Sequence, residues 1–170
     1  MCIRDSSSGD AIRSPGGGTG NTISQNRLRF NAFGIDLLGN GNLVNDPGDA
    51  DMGPNQRQNT PMVQHGVSIV LTSTSPDIAN ITITYEVDTD PANAAYALTT
   101  EFFLSDSSAQ DAFYIGSDTY TETDFATGLK TITFTGVNIN GILRVNLVAT
   151  ATDEFGNTSQ LSAPASTVVS

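Results

Sequence analysis

The chain has no tryptophan, one cysteine, one histidine and only seven lysines and arginines in 170 residues. Each shortage removes a class of function. Zinc sites usually recruit several His or Cys ligands, so His65 alone does not make one and reads as an exposed loop residue. Seven bases against eighteen acids leave a net charge of −11, which repels phosphate backbones and anionic membrane surfaces and favours cations as partners. Nucleic acid is therefore excluded. Without tryptophan the usual aromatic platform for sugars is missing. Tyr85 falls on an inward register, and Tyr96, Tyr114 and Tyr120 read as core or strand packing. No apolar run approaches the roughly 20 residues that span a bilayer, the densest being Val67 to Leu71 and Leu147 to Ala151, so no membrane insertion is expected. The acids fall in turns and on outward strand positions, with no triad and no catalytic carboxylate pair, so no enzyme is read from them.

The single cysteine sits in Met1-Cys2-Ile3-Arg4-Asp5-Ser6, a run that resembles the translation of a sequencing adapter. Residues 1–19 are accordingly set aside as a disordered or artefactual segment, Ser- and Gly-rich and without apolar period. From Gly20 to Val44 the texture changes to short aliphatic pieces, Asn21-Thr22-Ile23, Arg27-Leu28-Arg29-Phe30 and Gly34-Ile35-Asp36-Leu37, separated by Asn and Gly. Such pieces read as a rung of a parallel β-helix, each pointing one or two side chains into a stack. A rung on its own has nothing to stack on. Ile23, Leu28, Phe30 and Ile35 are therefore expected to lack a packing partner, and the first forty residues are expected not to fold.

Residues 45–61 form an acidic junction. Asp46, Asp49 and Asp51 lie within six residues, interrupted by Gly48 and Gly53 and followed by Asn55. Calcium takes six to eight oxygens, and a short acidic loop containing glycines can bend carboxylates and carbonyls around one ion. Asp46, Asp49, Asp51 and Asn55 are thus candidate Ca2+ ligands, with Asp36 and Asn45 in second rank. The competing reading is a turn whose aspartates cap local backbone N–H groups. Asp153-Glu154-Phe155-Gly156-Asn157 reads as a hairpin turn of that kind.

From Met62 to Ser170 period-two alternation takes over. Ile81, Ile83, Tyr85 and Val87 alternate with Thr82, Thr84, Glu86 and Asp88, and Leu143, Val145, Leu147 and Ala149 alternate with Arg144, Asn146, Val148 and Thr150. Seven strands are predicted near Val67–Ser73, Ile81–Asp88, Ala97–Ser105, Phe113–Thr121, Leu129–Gly136, Ile142–Thr152 and Thr158–Val169. Turns fall at Ser75-Pro76-Asp77, Asp90-Pro91, Gly128, Asn140-Gly141 and Gly156-Asn157. No stretch carries a long amphipathic helical period. The expectation is all-β: an Ig-like antiparallel β-sandwich preceded by a truncated terminal rung of a right-handed parallel β-helix.

Gly20-Asn21-Thr22-Ile23, Gly34-Ile35-Asp36-Leu37, the run Asn45 to Asn55, Gln58-Asn59 and Pro61 together resemble the C-terminal region of large secreted bacterial right-handed parallel β-helix proteins. In those proteins an acidic junction leads into an Ig-like module. Glu101-Phe102-Phe103, Ile115-Gly116-Ser117 and Ala149 to Ser159 are similar to that module's strands and turns. This chain departs from the pattern in an insertion near Asp88 to Ala95 and in Gln160, where an acid is commoner. The resemblance implies an extracellular or cell-surface setting and a structural or adhesive role, with neighbouring domains of the same chain and a surface polysaccharide or protein as partners. The alternative is an accessory or carbohydrate-binding module of a polysaccharide-active β-helix enzyme.

Overall fold

The computed structural model describes residues 12–13, 16–28, 34–39, 41, 43–74, 77–105, 112–139 and 144–168, with side chains at 144, 145, 167 and 168 left aside. In chain order the elements are β1 (Ile12–Arg13), β2 (Ile35–Asp36), β3 (Met62–Thr74), β4 (Asp77–Glu86), β5 (Leu98–Ser105), β6 (Ala112–Tyr120), α1 (Glu122–Thr127), β7 (Lys130–Asn138), β8 (Arg144–Thr152) and β9 (Ala165–Val168). The fold is all-β. Two antiparallel sheets, β3-β4-β7 and β6-β5-β8-β9, face each other as in a β-sandwich. The predicted alternation supplies the core: Ile81, Ile83 and Tyr85 from β4 meet Phe102 and Leu104 from β5 and Leu147, Ala149 and Ala151 from β8. Tyr85 stands edge-on to Phe102 with ring centroids 5.0 Å apart, and Phe134 lies 5.6 Å from the same ring. Gly116 has no side chain because a Cβ there would lie 2.3 Å from the Phe134 ring.

Several boundaries move. β3 begins at Met62, ahead of the expected Val67, so His65 lies on a strand and not in a loop, paired with Glu86 at 2.9 Å. The last expected strand shrinks to β9. Between Thr158 and Ser162 side chains take over the ladder: the Ala151 N–H donates to Ser159 Oγ and the Ala149 N–H to Ser162 Oγ. A short helix, α1, was not predicted. The Thr121 hydroxyl accepts from the Asp124 N–H while the Asp124 carboxylate accepts from the Thr121 N–H, a capping box closed by Gly128 at φ 88°. The expected turns at Ser75-Pro76 and Asn140-Gly141, and Phe30 and Leu143, lie outside the described residues.

The larger correction concerns the N-terminal segment. A parallel β-helix is not shown. Among the described residues the only parallel pairing is β1 with β2, Ile12 opposite Ile35 and Arg13 opposite Asp36, and it starts inside the stretch read as a tail. Nor do the aliphatics there lack a partner. Leu28, Ile35 and Leu37 are buried against Phe103 of β5, Ala112 of β6 and Val148 of β8, with Ile12, Ile23, Leu43, Tyr114 and Leu161 around them. These sandwich residues point away from the main core. The N-terminal segment thus covers the outer face of the four-stranded sheet, and a chain with one apolar layer between two sheets gains a second between sheet and segment.

Candidate functional site

The junction folds as a turn over the insertion that follows β4. The Asp49 N–H donates to the Asp46 carbonyl, with Gly48 and Asp49 at φ 70° and 61°, which glycine adopts freely and aspartate tolerates. The Gly48 N–H donates to Asp88 Oδ1, and the Gly48 carbonyl accepts from the Asp90 N–H and from Asn93 Nδ2. The insertion near Asp88 to Ala95 is therefore the surface on which the junction rests.

At the centre lies Asp49, only 5% exposed. Its Oδ1 accepts from the Asn59 N–H at 3.0 Å, and its Oδ2 accepts from Gln58 Nε2 at 2.7 Å and Thr89 Oγ1 at 3.1 Å. Burial pushes its pKa up to about 7; the bonds from Thr89 and Asn59 pull the other way, and the charges of Asp46 and Asp51 add to the rise. Asp46 is half-buried, with Oδ2 accepting from the Ala50 N–H at 2.9 Å. Asp51 pairs through Oδ2 with Arg57 at 3.0 Å, while its Oδ1 is buried with no hydrogen-bond partner.

One oxygen from each of Asp46, Asp49 and Asp51 lies within 4.8 Å of the others. Two oxygens bound to one calcium at about 2.4 Å each are at most about 5 Å apart, so the three carboxylates are close enough to share an ion. The cluster could hold a metal ion. The second-rank candidates are held by other partners. Asp36 closes its own loop, accepting from the N–H groups of Leu38, Gly39 and Gly41. Asn45 pairs reciprocally with the backbone of Thr60, at 2.8 and 2.9 Å.

Asn55 has a different task. It is fully buried, and its side chain spends all its capacity on two strangers in sequence: Oδ1 accepts from the Asn21 N–H at 2.9 Å and from Asn21 Nδ2, while Nδ2 donates to the carbonyls of Asn21 at 2.8 Å and Thr158 at 2.9 Å. Its backbone sits at φ 50°, and Gln56 and Arg57 follow at φ 52°, a left-handed turn that aims the amide inward at a cost of about 1–2 kcal/mol per residue.

Asn55 belongs to a set of buried polar side chains that hold the backbone of the N-terminal segment. Asn157 Oδ1 accepts from the Gly20 N–H at 2.7 Å, and Thr158 Oγ1 from the Ile23 N–H at 3.0 Å. Glu101, on the outer face of β5 and 4% exposed, accepts from the Gln25 N–H at 2.9 Å and from Ser24 Oγ at 2.6 Å. Gln160 accepts from the Leu43 N–H at 2.8 Å and donates to the Gly41 carbonyl at 3.2 Å, a pair of roles that an ionised acid could not fill. Asp153 in turn fixes Asn157, accepting from its N–H at 2.8 Å and its Nδ2 at 2.9 Å, so the turn read in Asp153 to Asn157 forms and also carries a clamp. Residues 18–28 form no strand of their own, and these side chains supply acceptors to the N–H groups of Gly20, Asn21, Ile23 and Gln25 in place of a backbone ladder. Sequence reasoning missed Glu101, Thr158 and Gln160 as members. The available signal was a run of polar residues, Asn157-Thr158-Ser159-Gln160, too long for a turn alone.

Comparison with protein-family models gives no match, and comparison with curated proteins gives no relative.

Proposed function

We propose that this chain is a non-catalytic structural module of a large secreted or cell-surface bacterial protein, in which an Ig-like sandwich is fused rigidly to a Gly- and Asn-rich segment related to a β-helix rung. The observation that carries the reading is the clamp: Asn55, Glu101, Asn157, Thr158 and Gln160 bind backbone groups across the boundary between the two parts. A module so tied transmits orientation from one neighbour in the chain to the next, which suits a spacer or an adhesive stalk. Its ligands would be surface polysaccharides or proteins recognised by the neighbouring domains.

Calcium is the finer part of this proposal. Bound by Asp46, Asp49 and Asp51, it would supply the partner that Asp51 Oδ1 lacks and hold Asp49 ionised. Extracellular calcium modules have dissociation constants of about 0.1–1 mM. At tenfold excess over that constant, binding would stabilise the chain by about 1.4 kcal/mol. The test is calorimetric titration of calcium into the wild-type chain and into an Asp49→Asn, Asp51→Asn double variant, with magnesium as control. Heat in the wild type alone supports the ion; equal heats in both would leave the aspartates as turn caps.

A further inference from the structure

On the far side of the sandwich from β3 and β9, the edge strands of the two sheets, β6 and β7, lie side by side and are joined through α1. Lys130 at the start of β7 reaches across to the other sheet, its Nζ 2.8 Å from Oδ2 of Asp118 on β6 and 3.2 Å from Oδ2 of Asp124 on α1. The same Asp118 oxygen accepts a 2.6 Å hydrogen bond from the hydroxyl of Tyr85, a fully buried side chain that also contacts Thr100 Oγ1 at 3.1 Å. The three charged side chains are 22–23% exposed, at the margin of the aromatic core formed by Tyr85, Tyr120 and Phe102.

A primary amine, a carboxyl group in contact with it, a hydroxyl donor on that carboxyl and a second carboxylate within reach of the amine are the components of an acyl-transfer site. We propose that Lys130 and Asp118 condense to an intramolecular isopeptide bond that staples β6 to β7, with Asp124 as the proton carrier. The Nζ–Cγ bond forms and one Cγ–O bond of Asp118 breaks. The ammonium gives up two protons, passed through Asp124 to the departing oxygen, which leaves as water. Ammonium plus carboxylate thus becomes amide plus water, with no oxidant, reductant or further reactant. The Tyr85 hydroxyl polarises the carboxyl during the attack, and the fixed contact replaces the encounter that makes such a condensation negligible between free groups.

The resting form is the ion pair. Burial pulls the Lys130 ammonium down, but the hydrogen bonds and charges of Asp118 and Asp124 outweigh it and hold it above the usual lysine range. For Asp124, burial raises the pKa, and Thr121 and Lys130 more than reverse that. The neutral amine that attacks is therefore a minor population, so the bond closes slowly after folding.

Intact-mass spectrometry of the purified full chain, fresh and after prolonged incubation at neutral pH, tests this directly. The expected result is a growing species lighter than the sequence mass by one water, with tryptic cleavage lost after Lys130 and fragment spectra joining Lys130 to Asp118. Lys130→Arg and Asp118→Ala should both keep the full mass. A wild-type chain that retains its full mass throughout overturns the proposal and leaves an ordinary ion pair. Water loss that persists in Lys130→Arg overturns it too, because it would mark cyclisation of an aspartate and not a cross-link.

Discussion

The two apolar layers of this protein are built by different rules. Between the sheets, period-two strands present Ile81, Ile83, Tyr85, Phe102, Leu104 and Leu147 to one another. Backbone ladders pair β4 with β7 and β5 with β8, and side chains enter where Ser159 and Ser162 take the N–H groups of Ala151 and Ala149. Between the four-stranded sheet and the N-terminal segment, Leu28, Ile35 and Leu37 are just as buried, yet residues 18–28 form no strand and the N–H groups of Gly20, Asn21, Ile23 and Gln25 go to individual side chains. The first layer can lose a methyl group and keep its pattern. The second depends on a few side chains, each of which holds particular backbone groups of the segment.

The comparison can be broken first at the core. Phe102→Ala removes the ring between Tyr85 and Phe134, and a buried Phe truncated to Ala costs about 3–5 kcal/mol. Urea unfolding should show a drop of that size in one transition, with the N-terminal segment lost together with the sandwich.

Asn55→Ala attacks the clamp without touching either apolar layer. It strands the Asn21 N–H and the carbonyls of Asn21 and Thr158, and places alanine at a left-handed φ. The Thr158 carbonyl is buried, and a buried group left unpaired costs about 1–3 kcal/mol; water can reach the part-buried groups of exposed Asn21, so the expected loss is roughly 2 kcal/mol. Glu101→Gln keeps the shape and one acceptor oxygen and should cost less, about 1 kcal/mol. The same unfolding measurement ranks the two.

Asp49 sharpens the contrast through pH. Its folded pKa, about 7, lies above the ordinary 3.8, so between those values the folded state holds the proton that the unfolded state has released. Its contribution to stability is therefore full below pH about 4, is lost as pH rises, and levels off above pH about 7. The span is no more than about 4 kcal/mol. Subtracting the stability of Asp49→Asn from that of the wild type at each pH, in chelator, should give a falling curve across this window. A flat difference would mean that the carboxyl group titrates alike in the folded and unfolded chain and that burial does not raise its pKa.

Much of the first layer was legible because alternation states which residues share a face. β5 starts within one residue of its expected place, β4 starts four residues ahead of its own, and the inward set of Tyr85, Phe102 and Leu147 is buried as read. The second layer was only half legible. Phe102-Phe103-Leu104 breaks alternation, and two adjacent buried phenylalanines require cover on both faces of β5. That run said that something lies outside the sheet, and the orphan aliphatics Ile23, Leu28 and Ile35 were the matching half. Linking them needed contacts between positions about eighty residues apart, which no local period encodes. The aspartates of the junction were legible as a cluster. Asn55 was not legible as a clamp, because an asparagine beside acids has the same composition whether it turns toward an ion or toward Asn21.

Amide hydrogen exchange on the wild-type chain in chelator tests the fusion of the two parts most directly. The N–H groups of Gly20, Asn21, Ile23 and Gln25 donate to Asn157, Asn55, Thr158 and Glu101. If the clamp makes segment and sandwich one cooperative unit, those amides exchange only by global unfolding, at the same free energy as the slowest amides of β4 and β5. If they exchange freely while β4 and β5 stay protected, the N-terminal segment is a loosely held cover and the account of a rigid fusion is wrong.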